Sequence, residues 1–192
     1  MRDGEPLSKG AIRARPSPTG RRSHPYNTHP VPSVARMRYW LMKSEPDDFS
    51  IDDLARVGRE PWSGVRNYQA RNFMRQMQPG DGVLFYHSSC EVPGVARVVG
   101  DAYPDPTQFD RRSDYHDPKS THEAPRWWLV DVAFERKLAR LVPLDEIRAL
   151  EEKLGEFALL QRGTRLSVLP LTAAQWKLIL ALEKKRPAKD PR

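Results

Sequence analysis

The chain has 192 residues, room for one ordinary domain with tails and a core of its own. No apolar run approaches the ~20 residues of a membrane-spanning helix, and Cys90, the only cysteine, excludes an internal disulfide. The formal charge of +7 points to nucleic acid, but residues 37–182 hold 20 Lys/Arg against 21 Asp/Glu, so a phosphate-coated surface is excluded there and only a local site remains.

The basic excess sits in the tails. Residues 1–36 carry seven Lys/Arg, two Asp/Glu and six prolines with no apolar periodicity, and residues 183–192 carry five Lys/Arg and two Asp/Glu. We read 1–36 as a disordered arm, with Met37 as a candidate translation start, and 183–192 as a basic tail. A lone cysteine suits a reducing compartment, so the expected location is cytoplasmic, with nucleoid association open. A monomer is expected.

Order begins after Met37. YWLM within Arg38–Lys43 reads as a first strand. Ser50 caps a short helix with Asp53 at its third position and Ile51, Leu54 and Val57 inward; Gly58 ends it. A second helix runs to about Met77 with Phe73, Met74 and Met77 toward the core. QPGD, Gln78 to Asp81, is a turn, followed by a strand over Val83–Tyr86. Pro93–Gly94 reads as a turn before a strand over Val95–Val99. Tyr103 to Pro125, rich in Pro, Asp and Ser, is a long loop. WWLVDVAF, Trp127 to Phe134, is the clearest strand and continues over Arg136–Leu141. An amphipathic helix spans Leu144–Leu154, a short strand Arg165–Val168, and Thr172 caps a terminal helix carrying Trp176, Ile179 and Leu180. The fold class is α+β: a small closed or half-closed barrel with short flanking helices and a C-terminal helix.

Catalysis has little support in these residues. Asp105, Asp110, Asp114, His116, Asp117 and Lys119 share the long loop and could suggest a metal-dependent nuclease, but Asp beside Pro and Ser is ordinary turn chemistry. One cysteine and five scattered histidines give no zinc set, and Ser88 and Ser89 beside His87 lack the glycines of a nucleophile elbow. No cofactor or metal is expected.

Binding is better supported. In WSGVRN, Gly64 permits close backbone approach, Trp62 supplies a flat apolar face, and Arg66 and Asn67 supply planar hydrogen-bonding groups, which is what a nucleobase needs. The bland alternative places Trp62 in the core and pairs Arg66 with an acid. KSEP (Lys43 to Pro46), FYHS (Phe85 to Ser88) and RGTRLS (Arg162 to Ser167) put further polar groups at strand ends.

KSEPDDFSIDDL, WSGVRNYQARNFMRQMQPGD, VLFYHSSC, AYPDPTQFD, DPKS, RWWLVDV and RGTRLSVLP, in this order, resemble the EVE domain of the PUA-like superfamily, across nearly all of 37–182. The resemblance implies a PUA-like β-barrel and a bacterial reader of a modified base, with a modified cytosine in DNA held after base flipping. It places Lys43, Ser44, Trp62, Ser63, Gly64, Val65, Arg66, Asn67, Tyr86, His87 and Ser88 at the pocket, joined by Arg165, Leu166 and Ser167. Trp62 is expected to stack on the base, Asn67 and Ser88 to address its edge, Arg66 and Arg165 to hold phosphate or form the wall by ion pairing, and Lys43 to add positive potential. Tyr68, Phe73, Trp127 and Trp128 are expected to be mainly core. The chain departs from the family where Pro93–Gly94 runs directly into VARVVGDAY, a few residues short. A general PUA-type RNA-binding module and a metal-dependent enzyme on nucleic acid are the rival readings.

Overall fold

The computed structural model describes residues 37–185; the N-terminal arm and the last seven residues lie outside the described part. Eight strands and five helices follow in chain order: β1 (Tyr39–Ser44), α1 (Ile51–Val57), β2 (Arg59–Pro61), α2 (Tyr68–Met74), β3 (Gly82–His87), β4 (Glu91–Val98), β5 (Tyr103–Pro104), β6 (Trp128–Leu129), β7 (Asp131–Pro143), α3 (Leu144–Arg148), α4 (Glu151–Leu154), β8 (Val168–Leu171) and α5 (Ala173–Leu182). Six of the strands form one mixed sheet in the order β2-β7-β4-β3-β1-β8, curled into a half-barrel whose outer strands β2 and β8 do not join. β1 and β3 are parallel, and the crossover between them carries α1, β2 and α2.

Side chains alternate across this sheet, which gives it two apolar faces. Trp40, Met42, Val83 and Phe85 pack on one side with Ile51, Leu54, Ala70 and Met74 from α1 and α2. Leu41, Leu84 and Tyr86 point to the other, against Ile147, Leu154 and Ile179 from α3, α4 and α5. Local chemistry sets the helix starts. Ser50 and Asp53 make a reciprocal capping box on α1, Thr172 and Gln175 another on α5, and Gly58 closes α1 at φ 79°.

Several boundaries differ from the sequence reading, each for a reason of packing. Pro93–Gly94 is not a turn: both lie inside β4, and the reversal is Ser88–Cys90, where Cys90 takes φ 74°. Pro93 sits at a register shift between Val92 and Gly94, where the missing N–H costs no ladder bond. Gly94 is pressed against α1; a Cβ there would lie 2.7 Å from Ile51 Cγ1. The strand read as Trp127–Phe134 is split at Val130, whose carbonyl accepts from the Trp62 amide at 2.9 Å. The Leu144–Leu154 helix is two shorter ones, α2 ends at Met74, and the last strand starts at Val168 instead of Arg165. Val57 points to solvent, and Tyr68 is 48% exposed rather than core.

Asp81 fixes the end of the half-barrel where β1 and β3 begin. Its buried carboxylate accepts from the Arg38 amide at 3.0 Å, the Trp40 indole at 2.9 Å and the Gln78 amide at 3.1 Å. Asp81→Ala leaves these donors without an acceptor. It is expected to cost about 3 kcal/mol, since an orphaned buried donor costs ~1–3 kcal/mol. Urea unfolding should show a lower midpoint at unchanged slope; a loss below ~0.5 kcal/mol would mean that solvent replaces the carboxylate.

Candidate functional site

At the opposite end of β1 and β3 the sheet opens into a cavity of about 700 Å³. Its walls are the β1 end with the following turn (Lys43, Ser44, Glu45, Asp48, Phe49), the run from Glu60 to Asn67, Ser88, the segment Thr164–Ser167, and Tyr115 from the long loop. That volume lies within the roughly 300–1,000 Å³ of clefts that take small organic ligands. Strand ends supply the polar groups because the ladder stops there.

Trp62 is only 8% exposed and belongs to the core cluster, with Phe85 edge-on at 5.4 Å between ring centroids. It is at once wall and core, so the expected free-standing stacking plate is replaced by a fixed apolar surface beside the cavity. Val65, also buried, and half-buried Leu166 extend that surface.

Arg66 is consumed by a latch. Its guanidinium donates from Nη1 to Asp105 Oδ2 at 2.8 Å, from Nη2 to Thr107 Oγ1 at 2.8 Å and from Nε to the Tyr115 carbonyl at 2.8 Å. Asp105, 1% exposed, also accepts from the Gly64 amide at 3.0 Å and from the Thr107 amide and hydroxyl at 2.8 and 2.6 Å. Of the two roles expected for Arg66, the geometry takes ion pairing within the wall. The latch sets the loop over the mouth: the Tyr115 ring covers Gly64, which has φ 81° and where a Cβ would lie 2.8 Å from Tyr115 Cζ. A side chain at position 64 and Tyr115 in its place are mutually exclusive.

The remaining residues divide by partner. Asn67 caps α2, its Oδ1 accepting from the Gln69 and Ala70 amides, so only its NH₂ stays available to a ligand. Ser44 Oγ donates to the Phe49 carbonyl at 2.7 Å and Ser88 Oγ to the Ser44 carbonyl at 3.3 Å, leaving oxygen lone pairs as acceptors. Lys43 is half-buried, and burial, partly offset by Cys90, lowers its pKa. Arg165 is exposed on the rim and Ser167 lies beside it, its carbonyl accepting from the Lys43 amide at 2.8 Å.

Two expected site residues stand elsewhere. Strand alternation sends Tyr86 into the other face's core, where burial pushes its phenol pKa upward. His87 is buried, its Nε2 accepting from the Ile51 amide at 3.2 Å, which props the start of α1 and keeps the ring off the cavity. The sequence reading missed Glu45, Asp48, Phe49, Glu60 and Tyr115. Glu45 lies within KSEP, Asp48 and Phe49 follow shortly after it, and all three were within reach of a longer look at that turn. Glu60 and Tyr115 are brought by pairing with distant chain, and no local pattern marks them. The loop acids, read as turn residues, do cap turns, but Asp105 has the larger task of the latch, and Asp117 accepts from the Trp127 indole at 2.7 Å.

Burial would raise the Asp105 carboxyl pKa, but bonds from Arg66, Thr107 and Gly64 outweigh it and hold the pKa below the ordinary 3.8. A carboxyl depressed in the folded state contributes stability above its unfolded value, and that contribution is lost as pH falls through the folded value. Asp105→Asn should therefore be less stable than the unsubstituted chain at neutral pH, with a gap that narrows as the pH in urea titrations falls below the ordinary carboxyl value of 3.8. A gap of constant size at every pH would show that the charge plays no part.

The EVE domain family matches residues 38–182. Thymocyte nuclear protein 1 of Danio rerio is 44% identical over 177 residues, covering 81% of this chain and 75% of its own. The human protein of that name is 41% identical over 171 residues, with 78% and 76% covered. Among solved structures, a Pseudomonas putida protein is 51% identical at a TM-score of 0.73, covering 76% of this chain and 99% of that one. Human THYN1 protein in complex with 5-methylcytosine containing DNA is 40% identical at a TM-score of 0.73, covering 78% and 99%. By its matched span, its sheet and its relatives, the chain belongs to the EVE domain family.

Proposed function

We propose that this protein is a non-catalytic reader of a modified base, taking a single 5-modified cytosine extruded from DNA into the cavity beside Trp62. The observation that carries the reading is the cavity's mixed lining: apolar Trp62, Val65 and Leu166 adjoin acidic Glu45, Asp48 and Glu60 and the Asn67 amide, while the Lys43 ammonium turns to the other face, 5.7 Å from the Tyr86 ring centroid. Cytosine presents an amino donor beside ring acceptors, so it needs both an acceptor and a donor at its edge, and carboxylates are natural acceptors for its exocyclic amine. A 5-methyl group sits on the ring carbon next to the one that bears the amine and needs apolar surface beside the acceptor. The DNA complex of the human THYN1 protein supports this choice of partner.

Extruding a base costs a few kcal/mol, and stacking against an aromatic wall returns ~1–3 kcal/mol. Trp62 supplies a wall that is already ordered, and Tyr115 at the mouth offers a second ring. Arg165 on the rim is placed to meet phosphate. Nothing in this reading asks a side chain to move a proton or attack a bond, and the role of the site is recognition.

The test is direct titration of duplexes that differ at one position. A duplex with a single 5-methylcytosine should bind roughly tenfold tighter than its unmodified counterpart, since a methyl group in an apolar pocket is worth about 1–3 kcal/mol. Equal affinities would refute the reading. Displacement of either duplex by an equimolar folded RNA would favour a PUA-type RNA-binding role in its place.

A further inference from the structure

The base cavity leaves one unusual stretch of surface unused. α2, YQARNFM, carries no acidic residue; Arg71 stands on it and Arg75, its C-cap, one turn further on. Like charges at that spacing repel, so the pair is unfavourable to the helix by itself. Both guanidiniums lie over aromatic rings: Arg71 is 4.9 Å from the Tyr68 centroid and Arg75 is 4.9 Å from that of Trp128. Arg126 lies 5.6 Å from the same Tyr68 centroid, and Tyr68 itself stacks on Trp127 at 4.9 Å. Arg126 is neutralised by Asp117. Arg75 has no carboxylate within ion-pairing distance among the described residues.

Arg71 donates to Asn72 Oδ1 and to the Arg126 carbonyl, whereas among the described residues the Arg75 guanidinium makes no side-chain hydrogen bond and rests over Trp128 with its N–H groups available. That suits the capture of phosphate oxygens better than it suits packing. The stripe also has two defined ends. Asn67, the cap of α2, lines the base cavity, while Arg75 and Trp128 line a second hollow of about 500 Å³ that Arg38 completes, with Asp101 its only lining carboxylate. Asn67 to Arg75 spans about 12 Å at 1.5 Å per residue, the length of three or four nucleotides at ~3.4 Å each.

We propose that this face of α2, from Tyr68 through Arg71 and Arg75 to Arg38, binds the sugar–phosphate backbone of the strand flanking the extruded base. The proposal takes nucleic acid as the partner from the base-reading function, but its contacts are blind to the modification. Phosphate contacts of this kind fix register and orientation, and base contacts supply the specificity.

The test compares Arg38→Gln/Arg75→Gln with Arg148→Gln/Lys177→Gln, a control that removes the same charge from α3 and α5. Each variant and the unsubstituted chain are titrated over a range of salt with the 5-methylcytosine duplex and with its unmodified counterpart, after melting curves establish that they are folded. The first variant should bind both duplexes more weakly by the same factor. The slope of log affinity against log salt should become shallower by roughly 0.9 for each phosphate that the variant no longer neutralises, the modified-to-unmodified ratio should hold, and the control should change little. An unchanged slope in the first variant, or an equal change in the control, would overturn the proposal. Loss of the ratio without a change in slope would overturn it too, by assigning these arginines to the pocket. If the unsubstituted chain shows no preference for the modified duplex while the first variant still flattens the slope, the base-reading function fails and the backbone track stands.

Discussion

One buried carboxylate organises the recognition end of this molecule. Asp105 accepts from Gly64, Arg66 and Thr107 at once, and through Arg66 the carbonyl of Tyr115 is drawn to the same point. Two segments distant in sequence, the WSGVRN run and the Asp-rich loop, thereby become one wall. Removing a single partner from a buried, hydrogen-bonded charge pair costs far more than the pair contributes net, so the latch is better understood as a device for geometry than for stability. Its geometric product is the placement of the Tyr115 ring on the bare Gly64 backbone, at the mouth of the cavity.

The same arrangement explains how a domain of nearly neutral charge can serve nucleic acid. Near the cavity, Arg165 stands on the rim and Arg71 and Arg75 on and just after α2, while Glu45, Asp48 and Glu60 line the cavity itself. A carboxylate-lined hollow inside a basic margin repels phosphate from its centre and accepts the donor edge of a base. On the proposed function, discrimination and affinity fall to different residues.

Much of the architecture was legible because it is written locally. The Ser50–Asp53 and Thr172–Gln175 boxes, the Gly58 stop and the alternation across Val83–Tyr86 are settled by neighbours a few residues apart. The WSGVRN run was legible as a cavity wall for the same reason: stacking, donor and glycine sit side by side. What stayed hidden depends on distant pairing. Pro93–Gly94 has turn composition, but the bulged register against β7 and the approach of Ile51 put both residues within a strand. Asp105 has the appearance of a turn residue until its Arg66 partner, 39 positions away, is known. Tyr86 and His87 belong to a motif that reaches the cavity only at Ser88, because alternation and the α1 prop turn the other two aside. Tyr115 carries no local sign at all.

The account stands on a 5-methyl group entering the hollow beside Trp62. A duplex carrying one 5-methylcytosine with a ¹³C-labelled methyl group reports on this directly by NMR. The account predicts a ring-current displacement of the methyl resonance on saturation with protein, with cross-peaks to the Trp62 indole. A methyl resonance that keeps its free-duplex position in the saturated complex would contradict it.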